Sequence, residues 1–352
     1  MNDPLCLLPG PVALAPSVVA AFREPLLYHR AEDFLPRYEA VRAKLSALVG
    51  GKPVGIFVGS GTLANEAVAA TLAADPMRDC GLVLVNGEFG QRLRKQAQQW
   101  GLSPRALTWA WGQPWNLADV EAALARMPGG WVWAVHHETS TGVQNDLPAL
   151  VALGRKYDVR VCIDAVSSLA TVPVNLDGVY LASGASGKAI GSYAGLAFVF
   201  AEPDELAARE LANVPTYLDV AATVAGEGPR FTVPSPWVAA LDAALDRLAQ
   251  PAKRFAQIRS VGAYLRRLLR EAELTPLAPD AIANPSLVTF APPPGESAAE
   301  FVQRLLASGY QIAGQSGYLA ERGLVQIAVM GAVARDDLAG LPAVLTRRAY
   351  AY

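Results

Sequence analysis

The sequence predicts an α/β fold: a mainly parallel sheet covered by helices on both faces, followed by a smaller C-terminal α+β domain. Three observations predict it. Short apolar runs alternate with amphipathic segments, and most runs are nearly continuous, as strands buried on both faces are. At 352 residues the chain is too long for one ordinary domain and suits two, and 52% hydrophobic against 18% charged residues allows a large core. The main polar and glycine-rich clusters directly follow apolar runs, which is where such sheets bind ligands.

The elements follow in order. Strands are expected over 55–58, 81–85, 131–135, 159–163, 179–182 and 196–200, each rich in aliphatic or aromatic residues. Amphipathic helices are expected over 63–74, 90–101, 116–127 and 147–157. No long helix separates 179–182 from 196–200, so that pair is antiparallel or locally irregular. A single long helix over 237–270 leads to the C-terminal unit. There, strands over 286–290, 311–313 and 324–329 and helices over 297–308 and 335–348 make the α+β pattern. The proline run Ala291-Pro-Pro-Pro-Gly-Glu296 reads as an exposed loop.

Composition excludes several classes. A net charge of −2 argues against a nucleic-acid partner. Cys6, Cys80 and Cys162 give neither a disulfide framework nor metal spacing, and His29, His136 and His137 lack the neighbours of a zinc site. No apolar run approaches the ~18 residues of a membrane helix. The start, Met1-Asn-Asp-Pro-Leu, lacks the basic segment of a signal peptide. A soluble cytoplasmic protein, with no membrane partner, is expected.

The chemistry centres on Lys188, in the run Leu181-Ala-Ser-Gly-Ala-Ser-Gly-Lys188 between two apolar stretches. Asp164 closes the earlier run Val159-Arg-Val-Cys-Ile-Asp164. An amine after one buried strand and a carboxylate at the end of another suit pyridoxal 5'-phosphate (PLP). The amine forms a Schiff base with the cofactor aldehyde. The carboxylate keeps the pyridine nitrogen protonated, so that the ring is an electron sink. The competing readings are a solvated surface lysine and a helix N-cap aspartate.

Four clusters surround that pair in the sequence. Val58-Gly-Ser60-Gly61-Thr62 lies between a strand and a helix, where free N–H groups and the helix dipole favour phosphate. Simple capping by Ser60 or Thr62 is the alternative, and a P-loop is excluded because its lysine is missing. Phe89, in Asn86-Gly-Glu-Phe89-Gly-Gln-Arg92, can stack on a flat heterocycle or simply fill a core. His136-His137-Glu138-Thr139-Ser140-Thr141-Gly142 puts three hydroxyls and a carboxylate at a strand end, costly to bury unless paired. Pro229-Arg-Phe-Thr232-Val-Pro234 is only a proline loop by itself.

In register, these segments resemble the class V aminotransferases of PLP fold type I. The alanine–glyoxylate, serine–pyruvate and 2-aminoethylphosphonate–pyruvate aminotransferases are the nearest in pattern. The match runs from Leu8-Pro-Gly-Pro through His29-Arg-Ala-Glu-Asp-Phe34 to about Arg335. The resemblance implies a seven-stranded type of sheet, a large PLP-binding domain over 13–245, and a small domain over 246–352 joined by 1–12. It implies that Lys188 carries the cofactor and shuttles a proton, and that Asp164 pairs with the pyridinium nitrogen. Phe89 stacks on the ring, with Val166 also at the cofactor. Ser60, Gly61, Thr62 and Ser186 bind phosphate, and Ser140 lies near the phenolic oxygen. Thr232 reaches a phosphate in the neighbouring subunit of a homodimer with shared active sites.

Two departures bear on substrate. Gly187 stands where relatives carry a glutamine that contacts phosphate. Gln326, in Leu324-Val-Gln326-Ile-Ala-Val-Met-Gly331, stands where an arginine grips the substrate α-carboxylate. Glutamine cannot copy that bidentate, charge-assisted clamp. Charged hydrogen bonds contribute roughly 1.5–3 kcal/mol against about 1 for neutral ones, a loss of about ten- to a hundredfold in affinity. Gln326 then faces an uncharged substrate group, or Arg30 or Arg322 supplies the charge, or the scaffold serves another reaction such as a lyase or decarboxylase. A cysteine desulfurase is disfavoured, because no cysteine lies in the C-terminal loops. The expected activity is an aminotransferase with an atypical substrate.

Overall fold

The structure is a computed structural model that describes residues 3–209 and 211–346. Its strands are β1 (Leu5–Cys6), β2 (Val54–Gly59), β3 (Gly81–Val85), β4 (Arg105–Thr108), β5 (Trp131–Val135), β6 (His137–Glu138) and β7 (Val143–Gln144). They continue with β8 (Arg160–Asp164), β9 (Val179–Ala185), β10 (Gly195–Ala201), β11 (Leu287–Phe290), β12 (Tyr310–Gln311) and β13 (Val325–Ala328). A central sheet of seven strands has the order β2-β10-β9-β8-β5-β3-β4. Only β10 is inverted, antiparallel to both β2 and β9. The short Lys188 loop joins β9 to β10, and a connection that short closes only an antiparallel pair.

The apolar runs are continuous because both faces are covered. On β10, Phe198 and Phe200 enter one core while Ala197 and Val199 enter the other. Each fully buried aromatic or aliphatic side chain contributes about 1.5–3 kcal/mol. Helices Leu35–Leu48 and Ser235–Asp246 cover the first face through Tyr38, Val41 and Leu241. Helices Gly61–Ala74 and Glu88–Gln99 cover the second through Val68, Leu72 and Leu93. A third core gathers Leu265, Phe290, Phe301 and Ile327 in the C-terminal part. There β11 pairs antiparallel with β13, and β1 from the N-terminus pairs with β12.

Three expectations need correction. The helix over 237–270 is two helices, Ser235–Asp246 and Pro251–Glu271. Pro251 cannot continue a helix, and Gln250 before it adopts φ −121°, ψ 72°. The helix over 335–348 is a 3₁₀ turn, Asp336–Leu338, and a short helix, Leu341–Leu345, separated by Ala339 and Gly340, with Pro342 in the first turn of the second. The end of that expected helix, 347–348, lies outside the described residues. Edge strand β4 was missed, since Arg-Ala-Leu-Thr carries no apolar run. It lies at the sheet edge and, among the described residues, pairs only with β3.

Candidate active site

Asp164 ends β8, and β8 lies between β5 and β9 near the middle of the sheet. Its carboxylate accepts from Asn65 Nδ2 at 2.8 Å and from the Val166 N–H at 2.9 Å. Asn65 is itself fixed by Ser183 Oγ, 2.6 Å from its Oδ1. Burial pushes the Asp164 pKa up, while Asn65, the Val166 N–H and the nearby Lys188 pull it down. Lys188 extends from the loop after β9 and donates from Nζ to the Pro9 carbonyl at 2.8 Å. Burial lowers its pKa to about 8; Asp164 opposes that shift and the Arg92 cation adds to it. Gly10 lets the N-terminal segment lie this close: a Cβ there would sit 2.8 Å from Lys188 Cδ, on a backbone with φ +144°.

Ser60 precedes helix Gly61–Ala74 in an extended conformation and does not cap it with its side chain. The first N–H groups of a helix have no intrahelical acceptor, so this end is open to an anion. Gly61 packs on Val166, where an added Cβ would stand 2.8 Å from Cγ2. Ser60, Gly61, Thr62, Phe89, Asp164, Val166 and Lys188 therefore line one cavity of about 480 Å³. Asn65, Arg92, His137, Thr139 and Ser167 line it too. Sequence reasoning gave these five no settled role. The alternation along the segment after β5 could have found two of them, since Val135, His137 and Thr139 face the cavity and His136 and Glu138 do not.

The histidines differ accordingly. His136 Nδ1 meets Ser168 Oγ at 3.0 Å behind the cavity, and burial, helped by His137, lowers its pKa to about 3. His137 Nδ1 lies 3.1 Å from the Ser167 carbonyl, which can only accept, so Nδ1 carries the proton. Burial lowers its pKa to about 4, against that hydrogen bond and with the Lys188 charge. Its Nε2 has no partner among the described residues.

Other expected site residues lie elsewhere. Ser140 sits under the cavity wall: its Oγ donates to Glu138 at 2.5 Å and accepts from the Glu88 N–H at 3.0 Å. Ser186 donates to the Tyr193 carbonyl at 2.6 Å and accepts from the Leu196 N–H at 3.2 Å, so its hydroxyl holds the loop together. Gly187 is packed so closely that an added Cβ would be 2.8 Å from Ala194 Cβ. Thr232 and Arg30 are exposed and outside the cavity. Arg322 is exposed, with its guanidinium 4.0 Å from the Trp111 ring centroid. Gln326 is fully buried on β13 and does not line the cavity. Its amide donates to the Thr139 carbonyl at 2.6 Å, the Ser140 carbonyl at 3.3 Å and Thr289 Oγ1 at 2.9 Å.

The cavity fits PLP group by group. The open helix end suits the phosphate, Asp164 the ring nitrogen, and a buried amine of lowered pKa the aldehyde. A partnerless Nε2 in the same wall leaves one more acceptor for a bound group to meet. Fold and cavity together define a PLP enzyme of fold type I.

The class is narrowed by likeness to known proteins. Residues 19–320 match the family model for class V aminotransferases, and the chain belongs to that family of PLP-dependent enzymes. It is 31% identical to a 2-aminoethylphosphonate–pyruvate transaminase of Pseudomonas putida, over 96% of this chain and 94% of that protein. An alanine–glyoxylate aminotransferase from Nostoc sp. superposes with a TM-score of 0.89 at 27% identity, covering 98% of this chain and 95% of that one. An aspartate aminotransferase from Thermus thermophilus gives 0.83 at 30% identity, with 97% of each chain covered. The chain is an aminotransferase.

Proposed function

We propose that Lys188 and Asp164 run this transamination, on a donor and acceptor other than those gripped by an arginine at position 326. The observation that carries the reading is the single cavity that holds Lys188, Asp164 and the open end of helix Gly61–Ala74. When bound, PLP supplies an electron sink that loosens the bonds at the amine-bearing carbon.

The chain's own residues do the rest. Asp164, kept in place by Asn65 and the Val166 N–H, would hold the ring nitrogen and the proton on it. Lys188, with its pKa lowered to about 8, is neutral often enough near neutral pH to bond the cofactor and then to take and return a proton at the substrate carbon. Ser60, Gly61 and Thr62 would hold the phosphate, and Phe89 and Val166, which line the same cavity, would contact the ring. Water is limited by the Pro9-Gly10 segment lying across Lys188. Gln326 spends its amide on carbonyls and a hydroxyl, which supports a substrate whose acid group is held elsewhere.

The reading includes a homodimer in the cytoplasm, with domains divided near residue 245. Exposed Thr232 then belongs to the partner's phosphate site, and the exposed side chains Leu26 and Tyr28 beside Arg30 are covered by the second subunit.

Borohydride reduction of the purified protein, followed by peptide mass analysis, tests the core of the reading. A pyridoxyl group on Lys188, and conversion of the bound cofactor to its pyridoxamine form by an amine donor, are expected. A Lys188→Ala variant should lose both. Labelling at another lysine, or full activity in that variant, would overturn it.

A further inference from the structure

If Gln326 cannot receive the substrate's acid group, some other cation must. Resting on the aminotransferase reading, we infer that Arg92 anchors the anionic group of the substrate. Arg92 lines the cavity that holds Lys188, and its charge is close enough to lower the Lys188 pKa. It is already oriented. Nε donates to Glu88 Oε1 at 2.9 Å, and this is the only hydrogen bond the side chain makes among the described residues. The guanidinium carbon lies 4.9 Å from the Phe89 ring centroid and 5.8 Å from that of Tyr318. Phe89 and Tyr318 meet edge to face at 6.1 Å, so one ring belongs to the large sheet's helix and the other to the C-terminal part.

This arrangement leaves the terminal nitrogens as an unused fork of donors, the shape that a carboxylate or phosphonate matches. The backbone beneath is fixed as well. Glu138 accepts from the Phe89 N–H at 3.2 Å and the Gly90 N–H at 3.0 Å, pinning the first turn of helix Glu88–Gln99. The other acids of the cavity are engaged. Glu66 is held by Gln96 at 2.8 Å and by Trp100 at 2.5 Å, and Asp164 by Asn65 and Val166. Arg322 faces Trp111 and does not line the cavity. Lys95 does line it, but no contact fixes its direction among the described residues. The substrate class that follows is an amine, or the matching oxo compound, carrying a carboxylate or phosphonate that reaches from the Lys188 end of the cavity to Arg92 beside Phe89.

The test uses the holoenzyme and its Arg92→Gln and Arg92→Lys variants. Single-turnover bleaching of the bound cofactor is followed with L-alanine, 2-aminoethylphosphonate and the uncharged 1-aminopropane. Equilibrium binding of succinate and inorganic phosphate is followed by calorimetry. The Gln variant should weaken at least one anionic donor and at least one anionic probe tenfold or more. Its loss with 1-aminopropane should be several-fold smaller than its loss with the anionic donor, and the Lys variant should recover part of the latter. The inference is overturned if the Gln variant binds every anion as the wild type does, if it loses the uncharged donor equally, or if the wild type binds none of the anions. A wild type that binds anions through Arg92 yet bleaches with no donor would overturn the aminotransferase reading and leave the anchor standing.

Discussion

Lys188, Asp164, Ser60, Gly61, Thr62 and Phe89 were legible as residues at or shortly after strand ends, where an open sheet binds ligands, and all six line one cavity. Gln326 was not legible as a buried tie, since its partners lie 186 and 187 positions away in the chain. The two histidines show what burial does at this scale. Both are neutral in the folded protein, with pKa values lowered to about 3 and about 4, while unfolded histidine titrates near 6.5. The unfolded chain therefore binds more protons below pH ~6.5, and the stability these residues lend is lost as pH falls from there toward 4 and 3. At about 1.4 kcal/mol per unit, the pair is worth several kcal/mol. Asp164 and Glu138, both raised by burial, work in the opposite direction within the carboxylate range. A variant with His136→Asn and His137→Asn should thus show a flatter fall of thermal midpoint between pH 6.5 and 4 than the wild type. Parallel curves would mean that the imidazoles do not titrate on unfolding.

Elements were legible where their residues state one period clearly, and not where tertiary contacts decide. All six apolar runs became strands of the central sheet, and the β9–β10 pair is antiparallel as the short connection requires. Strand β4 went unseen because an edge strand needs no apolar run. Helix Glu88–Gln99 starts two residues before its expected position, at Glu88, and the reason lies in another element. Glu138, on β6, accepts from Phe89, Gly90 and Ser140 N–H groups and from Ser140 Oγ. A buried carboxylate with four donors acts here as a remote N-cap, and it complements the positive end of the helix dipole. Glu138→Ala strands those donors, at about 1–3 kcal/mol for each group left unpaired. We expect the thermal midpoint to drop by several degrees and cofactor affinity to fall together with it, because Phe89 sits on the freed turn. An unchanged midpoint would show that the helix caps itself.

At the scale of the whole molecule, the site depends on pieces that only the fold unites. The N-terminal segment enters the C-terminal part as β1 beside β12, and four residues later lays Gly10 against Lys188. The C-terminal part in turn reaches the large sheet through Gln326, which bonds the turn after β6, and through Tyr318 on Phe89. The cavity is lined by residues between Ser60 and Lys188, but two distant stretches of chain brace it from behind, and no local pattern could have joined them. Gly10 is the thinnest link among them. A methyl group there would stand 2.8 Å from Lys188 Cδ and 2.9 Å from Nζ, on a backbone that favours glycine. Lys188 or the segment must shift, and either movement opens the contact with the Pro9 carbonyl. Gly10→Ala should therefore lower the yield of cofactor bound at Lys188, read as visible absorbance per protein, by severalfold. It should leave the central sheet folded, because the nearest atoms to the change all belong to the Lys188 side chain, and a far-ultraviolet dichroism spectrum like the wild type's checks this. Full absorbance in Gly10→Ala would show that the N-terminal segment merely rests over the lysine; reduced absorbance with a native spectrum would show that chain residues far outside the sheet set the reactivity of its central amine.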